Sequence, residues 1–188
     1  MATTAANRSG IDTRSITLDE KIHPSSAWFV LALRLVMGGM MLVAGLGKLA
    51  IVPGGSAFDA AGFLGNVNAA SPVAGVYAAM AANPGLIELI NVVIPATQLM
   101  IGIALLVGAF VRLAALGGAL QMTAFYLGGW EGAWLAAFDP TLIYLVVFLA
   151  LGALGAGRIL GLDAILERVT LGDQPLVERF PASKYLLG

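Results

Sequence analysis

Four long apolar stretches leave this chain few ways to fold. Between charged residues run Leu35–Gly47, Leu89–Val111, Leu113–Trp130 and Thr141–Gly157. At about 1.5 Å of rise per residue, a helix needs roughly 20 residues to cross the ~30 Å hydrocarbon core of a bilayer. The shorter runs reach that length with their flanks, and the first extends past Arg34 to Trp28 on one side and to Lys48 and Ala50 on the other. The expectation is an all-α, polytopic membrane four-helix bundle with spans at about 27–50, 86–109, 112–130 and 139–157, and membrane lipid as its first partner.

Function must then lie in the few polar groups inside the bundle, because the rest of the composition excludes so much. The 188 residues include no Cys, which removes thiolate catalysis, Cys-ligated zinc and iron–sulfur clusters. His23 is the single histidine and precedes the first span, so a pair of imidazoles cannot hold a haem in the bundle. No haem, iron–sulfur or zinc site is evident, and no metal ligands are assigned. No Gly-rich phosphate loop opens a helix after a strand. A net charge of −1 without any basic run gives no reason to expect nucleic acid. Many of the 24 glycines fall inside the apolar runs, where small residues favour close helix contact.

Residues 1–26 form a polar segment of mixed charge, with a surface-lying stretch expected around Ile16–Ile22. The leader is long, and no small-x-small cleavage site follows the apolar run, so the first span is expected to be retained. Ile51–Ile87 carries Asp59 as its one charge yet does not read as a fifth crossing. Pro53, Gly54 and Gly55 stop the first helix. Ser56 is placed to cap a short helix ending by Asn66 or Asn68, Ser71-Pro72 to start another, and Asn83-Pro84-Gly85 to end it and cap the second span. Pro72–Ala82 would be about 16 Å of helix, half a membrane, so two short helices on one face of the bundle are expected. Asp139-Pro140 reads as N-cap and first-turn proline of span four. After Arg158, residues Leu162, Ile165, Leu166 and Val169 recur at helical spacing with Asp163, Glu167 and Arg168 between them, an amphipathic helix within the 159–188 tail.

Basic residues set the orientation. Arg8, Arg14, Lys21, Arg112, Arg158, Arg168, Arg179 and Lys184 fall on one side of a four-span topology, while Ile51–Ile87 and Gly129–Tyr144 contain no Lys or Arg. Positive-inside reasoning predicts a multi-pass cell-membrane protein with both termini and the Arg112 turn in the cytoplasm.

Several short pieces, in order, carry a resemblance. Leu33-Arg34-Leu35, Gly38 and Ala44-Gly45-Leu46-Gly47-Lys48-Leu49 lie in span one. Glu88, Gly102, Leu106, Gly108 and Arg112-Leu113-Ala114-Ala115 follow, and Gly155-Ala156-Gly157-Arg158 with Leu162-Asp163 closes the series. Over about residues 32–166 this resembles the DoxX/DoxD family of small four-span membrane proteins. The resemblance implies a membrane subunit linked to quinone chemistry. In the DoxD branch such a subunit pairs with a second one in thiosulfate:quinone oxidoreductase, passing electrons from thiosulfate to membrane quinone.

Among the polar groups, Arg34 sits about 9 Å along the helix from Trp28. It is expected to snorkel toward the nearby headgroups, with some role against Asp163 or carbonyls at the span ends. Lys48 is the one basic residue on the other side, and Glu88 the one acidic residue within a span, entering near the same boundary. Two readings stand: an ion pair that pins spans one and two, or a proton-exchanging site at a quinone ring. From Glu88, residues Asn91, Pro95, Gln98 and Gly102 recur every three or four positions on one face that must avoid lipid. Gln121 lies at similar depth to Gln98, and an amide–amide bond between them is expected. Tyr126, Trp130 and Trp134 read as interfacial belt residues, while Tyr144, one turn into span four, is expected to face inward and donate to a quinone carbonyl. Met37, Met40 and Met41 read as adaptable packing.

The candidate set is therefore Glu88 and Lys48 as proton-handling groups, with Asn91, Gln98, Tyr144 and Tyr126 around a quinone. The leading function is a quinone-interacting membrane subunit of an oxidoreductase, of the thiosulfate:quinone type that the resemblance implies, with a second protein subunit supplying electrons. The alternative is a non-catalytic assembly or stabilising subunit of a larger membrane complex.

Overall fold

The structure, a computed structural model, describes residues 24–133, 138–171, 174–175 and 186–187. Most of the polar leader, Trp134 and most of the tail beyond Pro175 lie outside the described residues. Helices α1 (Pro24–Lys48), α4 (Pro84–Val107), α5 (Val111–Gly128) and α6 (Pro140–Ala153) build a bundle. The connection from α1 to α4 carries two short helices, α2 (Ala60–Gly65) and α3 (Ala74–Ala81). After α6 come a 3₁₀ turn (Ala156–Arg158), α7 (Leu162–Leu166) and a two-residue antiparallel pair, β1 (Thr170–Leu171) with β2 (Gln174–Pro175).

Local sequence explains the helix ends. Asn83 Oδ1 accepts from the Leu86 N–H at 3.2 Å and Pro84 occupies the first turn of α4. Asp139 does the same for α6, accepting from Thr141 and from Leu142 at 3.1 Å, ahead of Pro140. Gly108 ends α4 at φ 73°, a conformation open to glycine, and a Cβ there would lie 2.5 Å from the Gly161 Cα. In the connection the starts fall later than the sequence suggests: α2 begins after Asp59 rather than at Ser56, and α3 after Val73. Ser71 instead accepts from the Val73 N–H and donates to the Leu127 carbonyl at 2.6 Å, tying the connection to the end of α5.

Helices adjacent in the bundle sequence pack side by side, and α1 meets α6 to close the ring. The α1–α4 seam is made by glycine. A Cβ on Gly102 would lie 2.6 Å from the Leu42 nitrogen, and one on Gly45 would lie 2.8 Å from the Leu99 side chain, so the two backbones nearly touch. On the other seam, Phe148 of α6 lies where a Cβ on Gly118 would be, 2.5 Å from its ring. Met37, Met41, Leu105, Phe148 and Leu151 fill the interior, and Met40 packs against them, as adaptable methionines should.

The outward faces are as apolar as the core. Val36, Val43, Val92, Met100, Ile103, Leu116, Leu120, Val146 and Leu149 are all exposed. An apolar exterior this continuous is what hydrocarbon solvates and water does not. Helices α1 and α4, 25 and 24 residues long, are long and apolar enough to cross a bilayer. Helix α6 stops after 14 residues because Gly155 turns left-handed and the chain tightens into the 3₁₀ turn. The amphipathic C-terminal helix is five residues long, with Leu162 and Ile165 turned outward and Asp163 turned in.

Candidate functional site

The bundle has two dissimilar ends. At the turn end, where α4 passes into α5, Arg34 is 1% exposed. It does not snorkel. Its guanidinium donates to the carbonyls of Ala156 (2.6 Å), Ile159 (2.7 Å) and Leu160 (3.3 Å) in the segment after α6, the first of which also accepts from the Ile159 N–H. Asp163, fully buried, accepts from the N–H groups of Phe110 (2.7 Å) and Val111 (3.0 Å), capping α5, while its own N–H donates to the Gly108 carbonyl. Arg34 and Asp163 attract one another electrostatically. Nearby, Arg158 and Glu167 form an ion pair at 2.9 Å on the surface.

At the loop end, the charges are not tied to one another. Among the described residues no ion pair joins Lys48 to Glu88. The Lys48 ammonium instead lies 6.0 Å from the centre of the Phe58 ring, whose own N–H donates to the Lys48 carbonyl. Glu88 is exposed in the first turns of α4. Asn91, on the expected inward face, spends its carbonyl oxygen on the Ala60 N–H at 2.7 Å and so holds the start of α2. Tyr126 sets its ring edge-on to Trp130 at 5.8 Å, and Tyr144 keeps 37% of its surface exposed rather than facing inward.

Sequence reasoning missed the residues that seat the connection on the bundle. Phe63 of α2 stacks edge-on against Phe125 at 5.5 Å and lies 6.1 Å from Tyr77 of α3. The Tyr77 hydroxyl donates to the Ala124 carbonyl at 2.8 Å, and burial pushes that phenol's pKa up. The signal available was aromatic residues in an otherwise small-residue connection, without anything to say which partner they would meet.

Between the ends, two amides are buried in apolar surroundings, Gln98 at 2% and Gln121 at 8% exposure. They do not bond to each other. Gln98 sits one turn before Gly102 and so on the side of α4 that packs against α1. Gln121 Nε2 donates at long range to Thr97 Oγ1 (3.3 Å) and the Ile94 carbonyl (3.4 Å). Among the described residues the Oε1 atoms of both glutamines find no hydrogen-bond partner. Gln121 also lines a groove of 510 Å³ between α4 and α5, whose other walls include Met100, Ala104, Phe110, Leu113 and Gly117. No group of three or more His, Cys, Asp or Glu side chains converges among the described residues.

A model of the family described as "TQO small subunit DoxD" matches residues 29–174. The chain belongs to the DoxD family. The DoxD match runs beyond the four bundle helices through Asp163 to the β pair, so the turn-end segment is part of the family's unit rather than an appendage. No curated protein and no solved structure matches.

Proposed function

We propose that the chain is the quinone-handling membrane subunit of a two-subunit oxidoreductase of the thiosulfate:quinone type, with electrons supplied by its partner. The observation that carries this reading is the pair of unpartnered amide oxygens, Gln98 Oε1 and Gln121 Oε1, inside an apolar bundle. A buried polar atom without a partner costs about 1–3 kcal/mol, and a ligand with a polar head on an apolar body offsets that cost. The quinone–quinol couple has this character, and the hydroxyls of its reduced form supply the hydrogens that these acceptor oxygens lack. Reduction of a quinone takes two electrons and two protons. Glu88, exposed, and Lys48, half-buried, stand at the loop end and would relay those protons. Asn91, Gln98, Tyr126 and Tyr144 would then border the path from that end into the bundle.

In this reading the chain lies in the cell membrane with four spans, at about 27–50, 86–109, 112–130 and 139–157. The polar segment 1–26, the tail from 159 and the Arg112 turn are cytoplasmic. Single cysteines at Gly65, Gly132 and Ser183 test this in a chain that has none. An impermeant maleimide should label the first two from outside intact cells and spare the third, and the reverse pattern overturns the topology.

The assembly-subunit reading draws on a specific observation as well: Arg34, Asp163 and Asn91 are all committed to backbone groups. The two readings part on turnover. In the complex purified with its partner, Glu88→Gln combined with Lys48→Met should lower thiosulfate-dependent quinone reduction at least tenfold while assembly persists. Unchanged turnover in an assembled complex would leave only the structural role.

A further inference from the structure

We propose that the groove between α4 and α5 binds a quinol, the reduced form, with Gln121 accepting its hydroxyl hydrogen. This rests on the reading of the chain as a quinone-handling subunit and adds to it a place and a preferred redox form. The groove's 510 Å³ falls within the ~300–1,000 Å³ typical of small-molecule sites. Its walls are apolar except at one end, where Thr97 and Gln121 meet. Met100 and Leu120 flank it and are exposed, so it opens sideways toward hydrocarbon and a lipophilic molecule enters from the bilayer.

The chemistry at the polar end selects the occupant. The Thr97 hydroxyl is spent on the Val93 and Ile94 carbonyls, at 2.7 and 3.0 Å. Gln121 Nε2 is held by the Thr97 oxygen and the Ile94 carbonyl. What lacks a partner among the described residues is Gln121 Oε1, an acceptor, more than nine-tenths buried. It needs a donor. Gln121 lies ten residues along α5, about 15 Å from the turn end and so near mid-bilayer, where a phospholipid presents acyl chain and no donor at all. An oxidised quinone offers carbonyl acceptors only. The hydroxyl of a quinol supplies the missing hydrogen while its apolar tail follows the groove toward Phe110. That residue closes the far end, with φ 52° and its N–H held by Asp163.

The test uses the full chain in phosphatidylcholine nanodiscs, photolabelled with a diazirine-bearing ubiquinol analogue kept reduced under anaerobic conditions. Label should map to the groove-lining segments of α4 and α5, and decylubiquinol should compete about tenfold better than decylubiquinone. Gln121→Leu should erase that preference. Gly117→Leu should abolish labelling by filling the groove, since a Cβ there meets Ile101 at an ordinary 3.4 Å. Ala104→Leu fills it from α4 and serves if the first variant fails to fold. Equal competition by the two forms, or a preference that survives Gln121→Leu, overturns the assignment. So does label that neither competitor displaces, which would mark a lipid chain. Saturable label near Lys48, Phe58 or Tyr144 would remove the groove and leave the quinone reading standing, whereas no saturable label anywhere would sink both.

Discussion

The two ends of the bundle treat charge in opposite ways. At the turn end Arg34 and Asp163 are buried and held by carbonyls and N–H groups of segments far apart in sequence, with Arg34 Nε finding no partner among the described residues. At the loop end Glu88 is exposed, Lys48 rests beside an aromatic ring, and docking is left to neutral contacts: Phe63, Tyr77, Ser71 and Asn91. A charge buried for architecture cannot also exchange protons with water. The contrast teaches where chemistry remains possible, and that is the end whose charges the fold does not consume.

The sharpest way to break the comparison is to remove a turn-end charge. Arg34→Met strips donors from three carbonyls and leaves Asp163 without its opposite charge, while Asp163→Ala strips acceptors from the start of α5. Each should lower unfolding free energy by about 3–5 kcal/mol, the usual consequence of removing one member of a buried charged set, read by thermal unfolding in detergent. A loss below about 1 kcal/mol would erase the distinction between the ends. Next in size is Tyr77→Phe, which deletes one hydrogen bond to α5 and should cost about 1 kcal/mol, with faster hydrogen exchange confined to α2 and α3. Because burial raises the Tyr77 pKa, wild type should also lose stability as pH climbs past the unfolded phenol's value near ~10. The Phe variant should lack that component. Smallest are Glu88→Gln and Lys48→Met, each expected within about ±0.5 kcal/mol and additive when combined. A coupling above about 1 kcal/mol would reinstate the ion pair that the structure lacks.

The same division explains what the sequence made legible. Apolar run length is a local property, and so are the Asn83-Pro84 and Asp139-Pro140 starts, which the structure repeats. Depth along a helix is also local, which is why Lys48 and Glu88 were placed near one boundary. Pairing needs the rotation of two helices about their axes as well, and glycine contacts between α1 and α4 decide that rotation. The polar stripe of span two was read correctly at Gln98, which is buried, but the partner of Asn91 proved to be a backbone N–H in a loop helix. The Gln98–Gln121 bond failed for the same reason, since equal depth does not make two side chains face each other. For Arg34 the expected snorkelling fails, although an arginine near a helix end ordinarily has water as its cheapest partner, while the expected role against Asp163 and carbonyls at the span ends holds.

Those carbonyls are supplied 122–126 residues after Arg34. A ribosome delivers them after all four bundle helices. Synthesis proceeds from the N-terminus, so the first helix enters the membrane with its guanidinium unmatched and must lean on headgroups or water until the segment after α6 emerges. The seal at the turn end thus forms only after the four bundle helices are made, and a chain released before Leu160 would carry a buried charge without the groups built to receive it.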